Sequence, residues 1–298
     1  MSGRHILITG ASGGLGAALA RHYAAPGVAL LLVGRNVERL ARVVHECRAK
    51  GADVRLLVLD VRESAALHEL IAKADAQRPI DTVFANAGVE ASLGPLGEAE
   101  ALDDVLAQIR TNFEGAVVTV QPLIDPMRAR GQGRIVLVAS LAGRMPLPDQ
   151  PTYSATKAGL IAYGEALRPV LAAKGVSLTI ACPGFIDTGM ARTYRGWRPL
   201  QWSAERAAAT IARATERGAR SVSFPFALAG LVALGRVAPP FLRETVLRRL
   251  FAVDVRTEAR AEAAEPCCDA ASPRSITYAS KIPDKKSKSE VFIEDMTL

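Results

Sequence analysis

Along the first three quarters of the chain, short runs of consecutive apolar residues recur near positions 4–9, 28–33, 53–59, 81–85, 133–139 and 176–181, with a shorter seventh near 220–224. Apolar residues at every position, rather than at alternate ones, mark strands that are buried on both faces. Between these runs the apolar residues fall at helical spacing. Strands and helices in alternation predict an α/β fold, a Rossmann-type doubly wound parallel sheet of about seven strands with right-handed crossovers. In such a sheet ligands bind outside the carboxyl ends of the strands. A single domain is predicted over residues 1–224.

Past residue 224 the pattern changes. Phe224-Pro-Phe-Ala-Leu-Ala-Gly-Leu-Val-Ala-Leu-Gly235 carries no charge, and is followed by Arg236, Pro239-Pro240 and a helix-like stretch with Arg243, Arg248 and Arg249. The apolar run is about twelve residues, short of the roughly 20 that cross a bilayer. Residues 225–253 therefore read as an apolar and basic helical extension. It covers a pocket or a subunit contact, or it lies on a membrane surface with its arginines at the headgroups. Residues 254–298 are polar, with Lys281, Lys285, Lys286 and Lys288 close together, and read as a disordered tail whose apolar cluster is Val291-Phe-Ile.

Composition narrows the classes. At 298 residues and 49% apolar content the chain can bury a sizeable core. The net charge of +7 comes without a basic run interleaved with aromatics, so nucleic acid is not the expected partner; anionic small molecules are. Cys47, Cys182, Cys267 and Cys268 lack metal-ligand spacing and suggest no disulfide scaffold, and Cys267-Cys268 reads as a bystander pair. No metal is expected. No charged-then-apolar leader precedes the first strand, and the expected compartment is a reducing cytoplasm, with membrane-peripheral association as the variant the extension allows.

Two segments carry chemistry. His5-Ile-Leu-Ile-Thr9 runs straight into Gly10-Ala-Ser12-Gly13-Gly14-Leu15-Gly16 and then a helical pattern. Strand, glycine turn and helix is the context in which glycines let the backbone approach a pyrophosphate at a helix N-terminus. The second segment places Ser140 at the end of a strand-like run, Tyr153 thirteen residues later and Lys157 four residues after that. At i, i+4 on a helix, Tyr153 and Lys157 share a face. A phenol with a pKa of about 10 is a poor acid/base near neutrality, and a neighbouring cation favours its phenolate.

In this order, Thr9-Gly10-x-x-x-Gly14-x-Gly16, Asp60-Val61, Asn86-Ala87-Gly88, Asn112, Ser140, Tyr153-x-x-x-Lys157 and Pro183-Gly184 followed by Thr188 resemble the short-chain dehydrogenase/reductase family over residues 4–224. The turn also fits the Gly10, Gly13, Gly16 spacing of that superfamily's extended, sugar-nucleotide branch. The Asn86-Ala-Gly motif and the short Ser140 to Tyr153 interval favour the classical branch. The resemblance implies hydride transfer between a nicotinamide and a carbonyl or alcohol carbon. Tyr153 is then the acid/base, Lys157 the ribose ligand that lowers the tyrosine pKa, Ser140 the substrate-positioning hydroxyl, and Asn112 the residue that orders a relay water. It also implies cofactor contacts from Gly10, Ser12, Gly13, Gly14, Leu15 and Gly16 in the turn, from Asp60 and Val61 at the adenine, and from Tyr153 and Lys157 themselves. Asn86, Ala87 and Gly88 would lie beneath the ribose, and Pro183, Gly184, Ile186 and Thr188 would clasp the carboxamide. Asn86 alternatively ties the central strands together.

The second strand ends Leu32-Val33-Gly34-Arg35-Asn36, with no carboxylate for a ribose 2′-hydroxyl, whereas Arg35 offers a planar fork for a 2′-phosphate. NADP(H) is the expected cofactor. The variable substrate loop falls at about 185–202, where Met190, Tyr194, Trp197 and Trp202 predict an apolar inner face and Arg192, Arg195 and Arg198 a solvated one. An apolar or lipid-like ketone or aldehyde is the expected substrate, with a sugar-nucleotide or envelope-precursor enzyme, or a non-catalytic cofactor-sensing protein, as the alternatives. The resemblance further implies a homodimer or homotetramer through the helices holding Asn112 and Tyr153.

Overall fold

Consecutive apolar residues in the central strands divide between two opposite faces. Leu7, Leu31, Val33, Ile135 and Leu137 join one core, while Ile6, Ile8, Leu30, Leu32, Val136 and Val138 join the other. Successive side chains of a strand point to opposite sides, so a sheet covered on both faces needs an apolar residue at each position. Each such side chain contributes roughly 1.5–3 kcal/mol on burial.

The computed structural model describes residues 4–94, 97–189, 198–236, 238–239 and 241. In chain order the elements are β1 (His5–Thr9), α1 (Gly14–Tyr23), β2 (Ala29–Gly34), α2 (Val37–Ala49), β3 (Asp53–Val58), α3 (Ser64–Gln77), β4 (Thr82–Ala85) and α4 (Leu102–Gln108). A π-helical turn (Ile109–Glu114) leads into α5 (Gly115–Arg130), then come β5 (Gly133–Val138), α6 (Pro151–Ala172), β6 (Val176–Pro183), β7 (Ile186–Asp187), β8 (Trp202–Ser203), α7 (Ala204–Glu216), β9 (Ser221–Phe224) and α8 (Phe226–Gly235). The seven long strands form one parallel sheet in the order β3-β2-β1-β4-β5-β6-β9. Helices α1, α2 and α7 pack on one face, and α3, α5 and α6 on the other.

The strand order turns back between β1 and β4, which leaves a crevice at their carboxyl ends. Every predicted strand is present within two residues of its expected bounds. A pairing of β7 with β8 was not expected: these strands are two residues each, too short to leave a periodic signal. The expected tail 254–298 lies outside the described residues, as do Met190, Arg192, Tyr194, Arg195, Trp197, Arg243, Arg248 and Arg249.

Candidate active site

The glycine turn closes the switch point because the chain there has no room for side chains. A Cβ on Gly16 would lie 2.2 Å from the Gly10 carbonyl oxygen, and one on Gly10, whose φ is +68°, would lie 2.8 Å from Ala87 Cα. Asn86 holds the two strands together: its Nδ2 donates to the Thr9 carbonyl at 2.9 Å, while the Thr9 hydroxyl accepts from Asn86 N at 3.1 Å and Ala87 N at 3.3 Å. The strand tie weighed for Asn86 is therefore present. Gly13 differs from its neighbours: a Cβ there would meet no protein atom within 4 Å. It is the N-cap of α1 and offers no capping side chain, so the first amides of the helix stay available to an anion.

A cavity of about 440 Å³ opens from this turn. Its walls include all the predicted cofactor contacts except Gly16, which lies behind them. Open backbone at Gly13, an uncapped helix terminus and a crevice of this size fit a dinucleotide cofactor. Arg35 and Arg39 stand at one end of the cavity. The Asn36 side chain caps α2 by accepting from Arg39 N at 2.8 Å, which fixes where both arginines leave the backbone. Arg39 was missed in the sequence because its distance from the glycine turn is set by that cap and by the β2–β1 pairing.

Asp60 stands across from them. Burial alone would raise its pKa, but Arg62, donating from Nη2 at 2.7 Å and from Nε at 3.0 Å, together with the nearby Arg35, brings it down to about 2. Arg35 reaches Asp60 at 3.3 Å and remains largely exposed. An exposed ion pair of this length contributes well under 1 kcal/mol, so Arg35 is free to turn toward a phosphate while Arg62 keeps Asp60 neutralised.

The opposite end holds the hydroxyl and amine groups. Ser140 caps the short 3₁₀ turn Leu141–Gly143, its Oγ accepting from Ala142 N at 3.1 Å and donating to the Pro183 carbonyl at 3.5 Å, beside the Tyr153 phenol. Lys157 is buried and donates to the Val138 carbonyl at 3.0 Å, with Nζ 5.7 Å from the Tyr153 ring centroid. Burial lowers its pKa to about 8, against smaller opposing effects of Cys182 and Glu90. At neutral pH the cation still prevails. Burial raises the Tyr153 pKa well above the usual phenol value; the Glu90 carboxylate adds to this and the Ser140 bond opposes it. Lys157 Nζ is directed at a main-chain carbonyl, and Ser140 is the neighbour that opposes the effect of burial on Tyr153.

Asn112 is fully buried behind the wall, on the π-helical turn. Its Oδ1 accepts from Val89 N and its Nδ2 donates to Val89 O, both at 2.8 Å, and Nδ2 also reaches Thr156 Oγ1 at 3.2 Å. The side chain clamps the 88–90 loop beside Lys157, which gives Asn112 a positioning role. The clamp sets the place of Glu90, a cavity residue that the sequence reading passed over.

Beyond Tyr153 the wall turns apolar, with Leu141, Met145, Leu147, Phe185, Leu228 and Val232. The last two come from α8, which covers the pocket, one of the roles foreseen for that run. Trp202 corrects a second expectation. It faces away from the cavity, stacks on Phe224 at 5.0 Å between ring centroids, and carries the Arg206 guanidinium 3.9 Å from its own. The β7–β8 pairing turns it into the α7 core rather than toward substrate. Among the described residues, no cluster of His, Cys, Asp and Glu could hold a metal ion.

Comparisons with known proteins agree with this geometry. A family model described as short chain dehydrogenase matches residues 4–199. An uncharacterised oxidoreductase of Myxococcus xanthus (strain DK1622) is 36% identical over 253 residues, covering 84% of this chain and 98% of its own length. The ketoacyl reductase HetN of Nostoc sp. (strain PCC 7120) is 36% identical over 192 residues, 64% of this chain and 66% of that protein. Among solved structures, a short-chain dehydrogenase from Sphingobium yanoikuyae in complex with NADPH superposes with a TM-score of 0.67 at 22% identity, covering 80% of this chain and 97% of that one. Another from Mycobacterium paratuberculosis, bound to NAD, gives 0.65 at 21% identity, with coverages of 74% and 96%. At these identities the structural likeness speaks for the fold alone.

Proposed function

The chain belongs to the short-chain dehydrogenase family of oxidoreductases, and from that premise we propose that it is an NADP(H)-dependent reductase of apolar, lipid-like ketones or aldehydes. The observation that carries the reading is the cavity itself: Ser140, Tyr153 and Lys157 meet at its middle, with the glycine turn and two arginines on one side and an apolar wall on the other. NADP(H), when bound, supplies the hydride. Tyr153 delivers the proton to the carbonyl oxygen, which Ser140 holds by a hydrogen bond. Lys157 stands beside the ribose position and keeps positive charge there, and the apolar wall excludes water from the reacting carbonyl. The ketoacyl reductase among the relatives supports an acyl-type carbonyl.

Arg35 and Arg39, with no carboxylate at the end of β2, support NADP(H) over NAD(H). Titrating the purified protein with NADPH and NADH by nicotinamide fluorescence, followed by a screen of medium-chain ketones and aldehydes, tests the proposal. In Arg35→Ala the affinity for NADPH should fall by about tenfold to a hundredfold, the value of one or two charge-assisted hydrogen bonds, and that for NADH should hardly change. Equal losses for both cofactors would count against the phosphate clamp. Exposed Leu102, Leu106, Ile109 and Val170, on or near the helices carrying Asn112 and Tyr153, support a homo-oligomer.

Glu90 gives the pH dependence. In the alcohol-oxidising direction Tyr153 must accept a proton, so the rate rises with pH through its pKa. The Glu90 carboxylate raises that pKa, so Glu90→Gln should move the rising limb of kcat to lower pH. A limb that stays in place would show that Glu90 does not act on Tyr153.

A further inference from the structure

Helix α8 is apolar on every side, although one face is already covered. Leu228 and Val232 turn inward to the substrate cavity, whereas Phe226, Leu231 and Leu234 are 66%, 51% and 68% exposed, and Phe241 just beyond is 72% exposed. A surface helix normally shows polar residues outward. This one carries none from Phe226 to Gly235.

A second cleft adjoins it, lined by Arg144, Ser221, Ser223, Ala229, Val232, Ala233 and Arg236, with two guanidinium groups, two hydroxyls and no carboxylate among its lining residues. Arg144 and Ser223 both lie beside the Cys182 thiol and act to lower its pKa against the effect of burial. The buried Nε of Arg144 has no hydrogen-bond partner among the described residues. Two guanidinium groups on one cleft, with no carboxylate among its lining residues, suit an anionic oxygen acceptor. Val232 faces both spaces, so the apolar helix, the anion cleft and the substrate cavity share one wall.

From this juxtaposition we infer that the outer face of α8 and the Arg144–Arg236 cleft together seat the protein on an anionic phospholipid surface, Phe226, Leu231, Leu234 and Phe241 entering the acyl boundary and the cleft taking a headgroup phosphate. The charge pattern of the chain agrees: Arg236 ends the helix, and Arg243, Arg248 and Arg249 follow in sequence. Apolar side chains combined with several basic residues supply the two signals that stable surface attachment requires. No helix among the described residues is long and apolar enough to cross a membrane. The inference stands apart from the catalytic reading, since attachment needs no turnover.

Flotation of the full chain with vesicles tests it. The protein should float with equimolar phosphatidylcholine and phosphatidylglycerol and remain behind with phosphatidylcholine alone. The double variant Leu231→Asp, Leu234→Asp should lower the vesicle-bound fraction at least about tenfold, and Arg236→Gln should weaken binding about fivefold, the share of one basic residue at a charged surface. Both variants should keep wild-type cofactor binding and wild-type mass by light scattering, which shows that they fold. Variants that float as well as wild type would overturn the inference, since the basic sequence beyond α8 would then suffice. A fall in mass in the double variant would overturn it in favour of a second copy of the chain covering α8. Stabilisation by inorganic phosphate that Arg236→Gln abolishes, without flotation, would make the cleft a free-anion site and likewise overturn it.

Discussion

Tyr153→Phe is expected to lower kcat for carbonyl reduction by about a thousandfold to ten-thousandfold while leaving NADPH affinity within about twofold of wild type. The variant loses one oxygen atom. That atom is the phenol oxygen beside Ser140, whereas Lys157 is turned to the Val138 carbonyl and the Asn112 amide is engaged with Val89 and Thr156. The ring itself stays, so the packing of α6 against β5 and the course of the cavity wall should be preserved. In the proposed reading the cofactor is held by the glycine turn and the arginines, at the end of the cavity away from the Tyr153 hydroxyl. Parallel measurement of turnover and of nicotinamide fluorescence separates the two effects. Full activity in Tyr153→Phe would remove the acid/base assignment, and a joint loss of binding and turnover would make the tyrosine a structural residue.

The second large effect is at the opposite end of the cavity. Gly16→Ala places a methyl group 2.2 Å from the Gly10 carbonyl oxygen and 2.7 Å from Asn86 Nδ2. Neither neighbour can move freely: the first belongs to the turn backbone, and the second ties β4 to β1. Helix α1 or the turn must shift, and overpacking of this kind costs about 2–3 kcal/mol. In a domain of this size that should lower Tm by roughly 5–10 °C. Cofactor affinity should fall at least about a hundredfold, because the displaced amides no longer converge on one anion. Gly13→Ala is the control. Its methyl group meets no protein atom within 4 Å, so Tm should stay at the wild-type value while cofactor affinity drops, since the new methyl stands where the ligand approaches. Thermal scans and fluorescence titrations of the pair distinguish a turn built for close ligand approach from one built for packing alone: if Gly13→Ala binds as wild type does, the pyrophosphate does not pass over Gly13.

Much of this molecule was legible in its residue order. Strands buried on both faces leave long apolar runs, so β1, β2, β4, β5 and β6 were readable along the chain, while the partly exposed edge strands β3 and β9 left shorter apolar signals. Glycines at Gly10 and Gly16 were readable because close backbone approach admits no substitute, and Tyr153 and Lys157 because helical spacing alone puts them on one face.

What the residue order left open shares a physical cause. Trp202 read as a pocket aromatic, but a two-residue pairing with Ile186 turned it into the α7 core. The loop that Asn112 clamps is 23 residues away in the chain, a contact no local pattern signals. Arg39, Glu90, Met145, Leu228 and Val232 carried no motif, and they reach the cavity because β2, β4, β5 and α8 end around it. Even the charge on Tyr153 depends on this placement, since burial, Glu90 and Ser140 act on it through space. The sequence by itself determined the elements, the glycine turn and the Ser140, Tyr153 and Lys157 set, because local periodicity and steric demand act within a few residues along the chain. Only the tertiary structure decided which side chains face the cavity and which proton each holds, because burial and Coulomb interactions depend on distances between strands and helices remote in sequence.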